Sequence, residues 1–89
     1  MTTFVAEVRV MLKQSVNDPQ GLSIRNALRT LGFDGVEDVR AGKLIEIRLD
    51  AADRASADAV VTQMCDKLLA NPVIERYEFT VAELPARVP

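Results

Sequence analysis

Carboxylates are the only acid–base equipment in this sequence, and their spacing does not favour catalysis. Glu37 and Asp38 are neighbours in an extended stretch, so they point to opposite faces and cannot share one proton. Asp50 and Asp53 stand at the start of a helix, where a carboxylate caps free N–H groups. Ser15, Ser23 and Ser56 have no histidine to activate them, because the chain contains none. Cys65, the single cysteine, falls on an apolar helical stripe and reads as a buried, inert thiol. One cysteine without histidine excludes tetrahedral zinc sites within one chain, and a disulfide framework too. Gly-rich phosphate loops are missing. Asp18-Pro19-Gln20-Gly21 opens a helix, but Asp18 would repel an anion and Pro19 lacks a donor, so a cap is the better reading. Arg40-Ala41-Gly42-Lys43 is better suited to contact, with two cations flanking a glycine that permits close backbone approach. A plain basic hairpin explains it equally well.

The bulk composition points the same way. Eighty-nine residues make one domain. Apolar residues are 48% and charged residues 27%, as in ordinary globular proteins. A domain of this size buries only about 60–65% of its unfolded surface, which suggests reliance on partners. A net charge of −2 argues against non-specific nucleic-acid binding, although Arg9, Lys13, Arg25, Arg29, Arg40, Lys43 and Arg48 gather in the first half. Met1-Thr2-Thr3-Phe4 does not resemble a signal peptide, and no apolar run approaches the roughly 20 residues of a membrane span. The lone cysteine fits a reducing compartment, so a cytoplasmic location is expected.

The elements follow from periodicity. Phe4, Ala6, Val8, Val10 and Leu12 alternate with more polar neighbours and predict a half-buried strand. Ile24, Ala27, Leu28 and Leu31 put one stripe on a helix over 19–31, with Asp18 as its N-cap and Gly32 past its end. Val36 to Ala41 and Lys43 to Leu49 read as two short strands about Gly42, with Ile45, Ile47 and Leu49 inward. Asp53 caps a second helix whose apolar face holds Ala57, Val60, Val61, Met64, Cys65, Leu68 and Leu69. Asn71-Pro72 ends it. Val73 to Val81 is the last strand, with Tyr77 and Phe79 on the helix-packing face.

The expected fold is therefore α+β, a β-α-β-β-α-β two-layer sandwich of ferredoxin-like order, with two helices on one face of an antiparallel sheet. Residues 1–82 form the domain and 83–89 an extended tail. Overlaying Ile24, Ala27, Leu28 and Leu31 on Val61, Met64, Cys65 and Leu68 gives two pseudo-repeated βαβ units. The outer sheet face carries Val5, Met11 and Ile74 among charges, enough to associate through sheet faces or edges. RNA-recognition modules share this order but stack bases on aromatics, and here aromatics total 4%.

Three runs carry a family resemblance. They are Asp18-Pro19-Gln20-Gly21, then Leu31-Gly32-Phe33-Asp34-Gly35-Val36-Glu37-Asp38-Val39-Arg40-Ala41-Gly42-Lys43, then Met64-Cys65-Asp66-Lys67-Leu68-Leu69-Ala70-Asn71-Pro72-Val73-Ile74-Glu75. In this order and at this length, the sequence resembles the PurS subunit family of phosphoribosylformylglycinamidine synthase, from Phe4 to about Val81. The resemblance implies a role in de novo purine synthesis. In that step formylglycinamide ribonucleotide, ATP and glutamine give formylglycinamidine ribonucleotide, ADP, phosphate and glutamate. A glutaminase subunit releases ammonia, and a synthetase subunit, where ATP and magnesium are expected, uses it. The small subunit would be a non-catalytic assembly element bridging the two and aiding ammonia transfer. It would hold no cofactor, carry no catalytic residue and associate with itself as a dimer or tetramer. Arg40, Gly42, Lys43, Asn71 and Glu75, which lie in the matching runs, are the expected partner contacts. Turn and cap geometry is the competing explanation for Gly42 and Asn71. The alternative function is a ferredoxin-like regulatory domain that binds a small molecule.

Overall fold

The computed structural model describes residues 1–84. Its centre is the first strand, β1 (Thr2–Leu12), which pairs antiparallel with β2 (Gly42–Ala51) on one side and β3 (Glu75–Glu83) on the other. Strict alternation along β1 buries Phe4, Ala6, Val8 and Val10 and turns Glu7 outward. The register aligns apolar rows on the inner face. Val8 lies between Ile45 and Phe79, and Ala6 between Ile47 and Val81. The sequence reading of these inward faces holds on all three strands, Tyr77 and Phe79 included.

Helix α2 (Arg54–Met64) covers this face. Asp53 caps it as expected, with its Oδ1 accepting from the Ser56 N–H at 2.8 Å. Ala57, Val61 and Cys65, spaced four residues apart, are fully buried against the sheet. Burying a side chain such as Val61 contributes about 1.5–3 kcal/mol. After Met64 the helix widens into a π-helical turn, Cys65–Leu69, closed by the Ala70 N–H on the Cys65 carbonyl at 3.0 Å. That closure takes an extra residue. Positions beyond Cys65 therefore fall behind the α-helical period, so Leu68, expected inward, is 83% exposed, and Ala70 is buried instead.

Three expectations are corrected. Among the described residues the sheet has three strands, not four, and the element order is β-α-β-α-β. Residues 36–41 are not a strand, because their polar groups are bound from other directions. Arg29 Nε donates to the Val36 carbonyl at 2.9 Å, and the Ala41 N–H donates to Asp18 Oδ2 at 2.8 Å. The segment thus runs along α1 (Pro19–Thr30) rather than beside a strand.

Helix α1 also departs from expectation. It begins at the Asp18 cap and ends before Gly32, whose φ of +101° suits a residue without Cβ. Yet Gly21 is its only buried residue, and the helix makes no extensive packing against a strand. Leu31, at the end of the predicted inward stripe, is 74% exposed. So, among the described residues, α2 and the π turn after it cover the sheet, and the two pseudo-repeats are not equivalent in packing. The last strand starts two residues later than expected and runs on to Glu83, past the anticipated domain edge, where the Leu84 N–H donates to the Thr3 carbonyl at 2.8 Å. The rest of the expected tail, 85–89, lies outside the described residues.

Phe4 is the largest side chain in the buried core. Phe4→Ala is expected to destabilise the protein by about 3–5 kcal/mol through lost transfer energy and a residual cavity, as read by denaturant unfolding at fixed protein concentration.

Candidate functional site

The residues expected to make partner contacts gather at one end of the sheet, where β1 ends and β2 and β3 begin. Arg40 holds the turn after β1. Its Nη2 donates to the carbonyls of Lys13 at 2.9 Å and Val16 at 3.0 Å. A longer approach, 3.5 Å, reaches the Leu12 carbonyl. Its guanidinium is therefore engaged within the chain. Gly42 opens β2 opposite Met11, and a Cβ there would collide with the Met11 sulfur and the Val10 carbonyl. The glycine is required by close approach and not by a left-handed turn.

Lys43, Glu75 and Asn71 form a chain across the inner corner. Lys43 Nζ stands 3.9 Å from Glu75 Oε2. Glu75 Oε1 accepts from the Asn71 N–H at 2.7 Å, and Asn71 Oδ1 accepts from the Val73 N–H at 3.0 Å. Asn71 thereby builds the turn into β3, the role that competed with partner contact in the sequence reading. Lys43 remains mostly exposed. A depression of about 250 Å³ opens at this corner, lined by Gly42, Lys43 and Glu75 together with Asp18, Gln20 and Leu12. The structure thus brings Gly42, Lys43, Asn71 and Glu75 together and leaves Arg40 beside them as a clamp.

Asp18 does more than the sequence reading assigned to it. Oδ1 accepts from the Gly21 N–H at 3.0 Å, the cap, while Oδ2 accepts from Ala41, just before β2. One carboxylate therefore ties the start of α1 to the start of β2. Gly21 allows this, because a Cβ there would strike the Val39 carbonyl. The Gly21 N–H, then that of Ala41, hold the Asp18 carboxyl below the usual aspartate range, with help from the Arg40 charge. The Ser56 N–H does the same for Asp53. Burial, and then the Asp66 charge, push the Cys65 thiol up. Tyr77 is raised chiefly by donating its hydroxyl to Asp66 Oδ1 at 3.0 Å. Sequence spacing offered no signal for the Asp18–Ala41 bond, which joins residues far apart along the chain.

This arrangement supplies structure and surface rather than a reacting constellation. Among the described residues, no group of three or more histidine, cysteine or acidic side chains is placed to hold a metal. No helix among them is long and apolar enough to cross a membrane.

Two outcomes are expected. Asp18 and Asp53 have lowered folded-state pKa values, so their contribution is present above the ordinary aspartate pKa, about 3.9, and is lost as pH falls through the depressed one. Asp18→Asn should therefore be less stable than wild type at pH 7 and should lose less further stability on acidification to pH ~3 in denaturant titrations. Cys65, fully buried with a raised pKa, should react with a disulfide reagent only when the protein is unfolded, which absorbance of the released thiolate would report.

Comparison with known proteins supplies the family. Residues 5–83 match the PurS family, described as phosphoribosylformylglycinamidine (FGAM) synthase. The PurS subunit of that synthase from Synechocystis is 44% identical over 86 residues, which is 97% of this chain and 86% of the relative. The crystal structure of Bacillus subtilis PurS superposes with a TM-score of 0.81 at 45% identity, covering 90% of this chain and 99% of that one. A chain in the structure of PurLQS from Thermotoga maritima superposes with a TM-score of 0.82 at 36% identity, covering 94% of this chain and all of that one, 100%. Matched in sequence and in fold along nearly its whole described length, the chain belongs to the PurS family of phosphoribosylformylglycinamidine synthase.

Proposed function

We propose that this chain is the small, non-catalytic subunit of an FGAM synthase in purine biosynthesis. It contributes to the conversion of formylglycinamide ribonucleotide, ATP and glutamine to formylglycinamidine ribonucleotide, ADP, phosphate and glutamate by holding the larger subunits together. The observation that carries this reading is the near full-length likeness to a chain of the PurLQS structure. The chemistry of the chain agrees with it. Its carboxylates with lowered pKa values, Asp18 and Asp53, cap helices, and its thiol is buried. ATP and magnesium belong, on this reading, to the synthetase subunit, the ammonia-releasing step to the glutaminase subunit, and the assembly to the cytoplasm. The small subunit bridges the two and helps to shield ammonia in transit. The corner that holds Gly42, Lys43, Asn71 and Glu75, with Arg40 bracing the adjacent turn, is the contact region.

Self-association is part of the same proposal. Among the described residues, only α2 and the π turn after it cover the inner sheet face, so Ile45, Ile47, Leu49, Tyr77 and Phe79 are just partly buried. Helix α1 and the turn after it leave Leu22, Ile24, Leu31 and Phe33 exposed. The chain spans 51 × 35 × 15 Å, thin in one dimension. Apolar surface of this extent favours burial against a second copy.

Reconstitution tests the assembly role. Glutamine-dependent product formation by the two larger subunits should require this chain, while ammonia-dependent formation by the synthetase should depend on it far less. Equal glutamine-dependent turnover without the chain would refute the proposal. Light scattering of the chain alone should give a mass at least twice that of one copy, and Leu31→Glu should lower it.

A further inference from the structure

The outer sheet face is charged along most of its length, and part of that charge is matched within the chain, while Glu46 and Arg48 have no ion pair among the described residues. Arg9 reaches Glu78 at 3.2 Å and Glu7 at 3.8 Å, and Thr3 donates to Asp50 at 2.7 Å. One corner differs. The register sets Met11 between Gly42 and Arg76, and Arg9 between Leu44 and Glu78, all on this face. Because Gly42 has no side chain, Met11 lies across it, as the clash of a Cβ there with the Met11 sulfur shows. The result is a depression of about 420 Å³ between Leu44, Met11 and Arg76. Leu44 is 67% exposed, which is unusual for a leucine inside a strand. Arg76, like Arg48, has no ion pair among the described residues, but it alone of the two borders this apolar depression.

We infer that this corner docks an acidic segment of a larger subunit, which places an apolar side chain on Met11 and Leu44 and a carboxylate against Arg76. The inference rests on the assembly reading above and names the surface through which a partner is engaged. Charge complementarity selects the occupant. An unpaired guanidinium beside an apolar floor suits a carboxylate-bearing chain, and arginine with apolar neighbours is the composition of an interface centre. The site also continues the corner that holds the expected contacts, since Gly42 and Lys43 border both depressions. A second copy of this chain is the less suitable occupant. The apolar surface left open for self-association lies on the other face of the sheet and on α1.

The test uses the full chain with its two larger subunits and reads complex formation by sedimentation or surface plasmon resonance. Arg76→Glu and Leu44→Ser should each weaken binding by about tenfold or more, and Arg76→Lys by less. Both positions are exposed strand sites, so thermal unfolding and the self-association mass should stay at wild-type values. Wild-type binding should weaken with salt, and Arg76→Glu should reduce that dependence. Unchanged complex formation by both variants, with wild type binding normally, would overturn the docking site and leave the assembly role intact. A changed self-association mass would place a second copy there and also overturn it. Failure of wild type to bind either larger subunit would instead refute the assembly role.

Discussion

The structure hangs on β1. As the middle strand of three, it supplies the hydrogen-bonding partners of both β2 and β3, which do not pair with each other. It also supplies four of the ten buried apolar residues among those described, Phe4, Ala6, Val8 and Val10. Its alternation decides which face of the sheet is apolar, and the register carries that decision to its neighbours. Slipping one pairing by a single residue would expose an entire row, so the pattern of one strand constrains the whole sheet.

A second constraint is local and polar. The Asp18 carboxylate joins the start of α1 to the lead-in of β2, and Arg40 braces the turn that follows β1. Together these contacts aim α1 along residues 36–41 instead of across the sheet. A close-packed monomer would lay both helices on the inner face. Here one polar junction keeps the first helix away, and apolar surface stays available for association. The junction therefore links the cap chemistry of a short motif to the assembly behaviour proposed for the chain.

The corner at the ends of the strands follows from both constraints. Gly42 is needed where Met11 crosses it, Lys43 faces inward toward Glu75, and Leu44 faces outward. A partner meeting this edge encounters both sheet faces at once. Interface chemistry of this kind agrees with a family whose relatives include a chain of the PurLQS structure.

Much of this was legible in the sequence, and the divide has a physical cause. Strand faces, both helix N-caps, the glycine after α1 and the buried cysteine depend on neighbours within a few residues. Period, capping and turn chemistry therefore reveal them. The family resemblance was legible too, because it resides in the order of short runs. Most of the failures are long-range. Val36 to Ala41 has the composition of a strand, but its hydrogen bonds go to Asp18 and Arg29, which no period can foresee. The stripe Ile24-Ala27-Leu28-Leu31 correctly predicted a helix but not what would lie against it. Leu68 was misplaced because the π turn after Cys65 changes the period itself. The five expected contact residues lie together at one end of the sheet, yet their geometry, with Arg40 as a clamp and Leu44 and Arg76 as the open corner, came only with the tertiary structure. By itself the sequence determined the three strands that form, both helices, the strands' inward faces and the family. Only the tertiary structure decided where the first helix goes and which surfaces remain uncovered, because both turn on pairings between residues far apart in the chain.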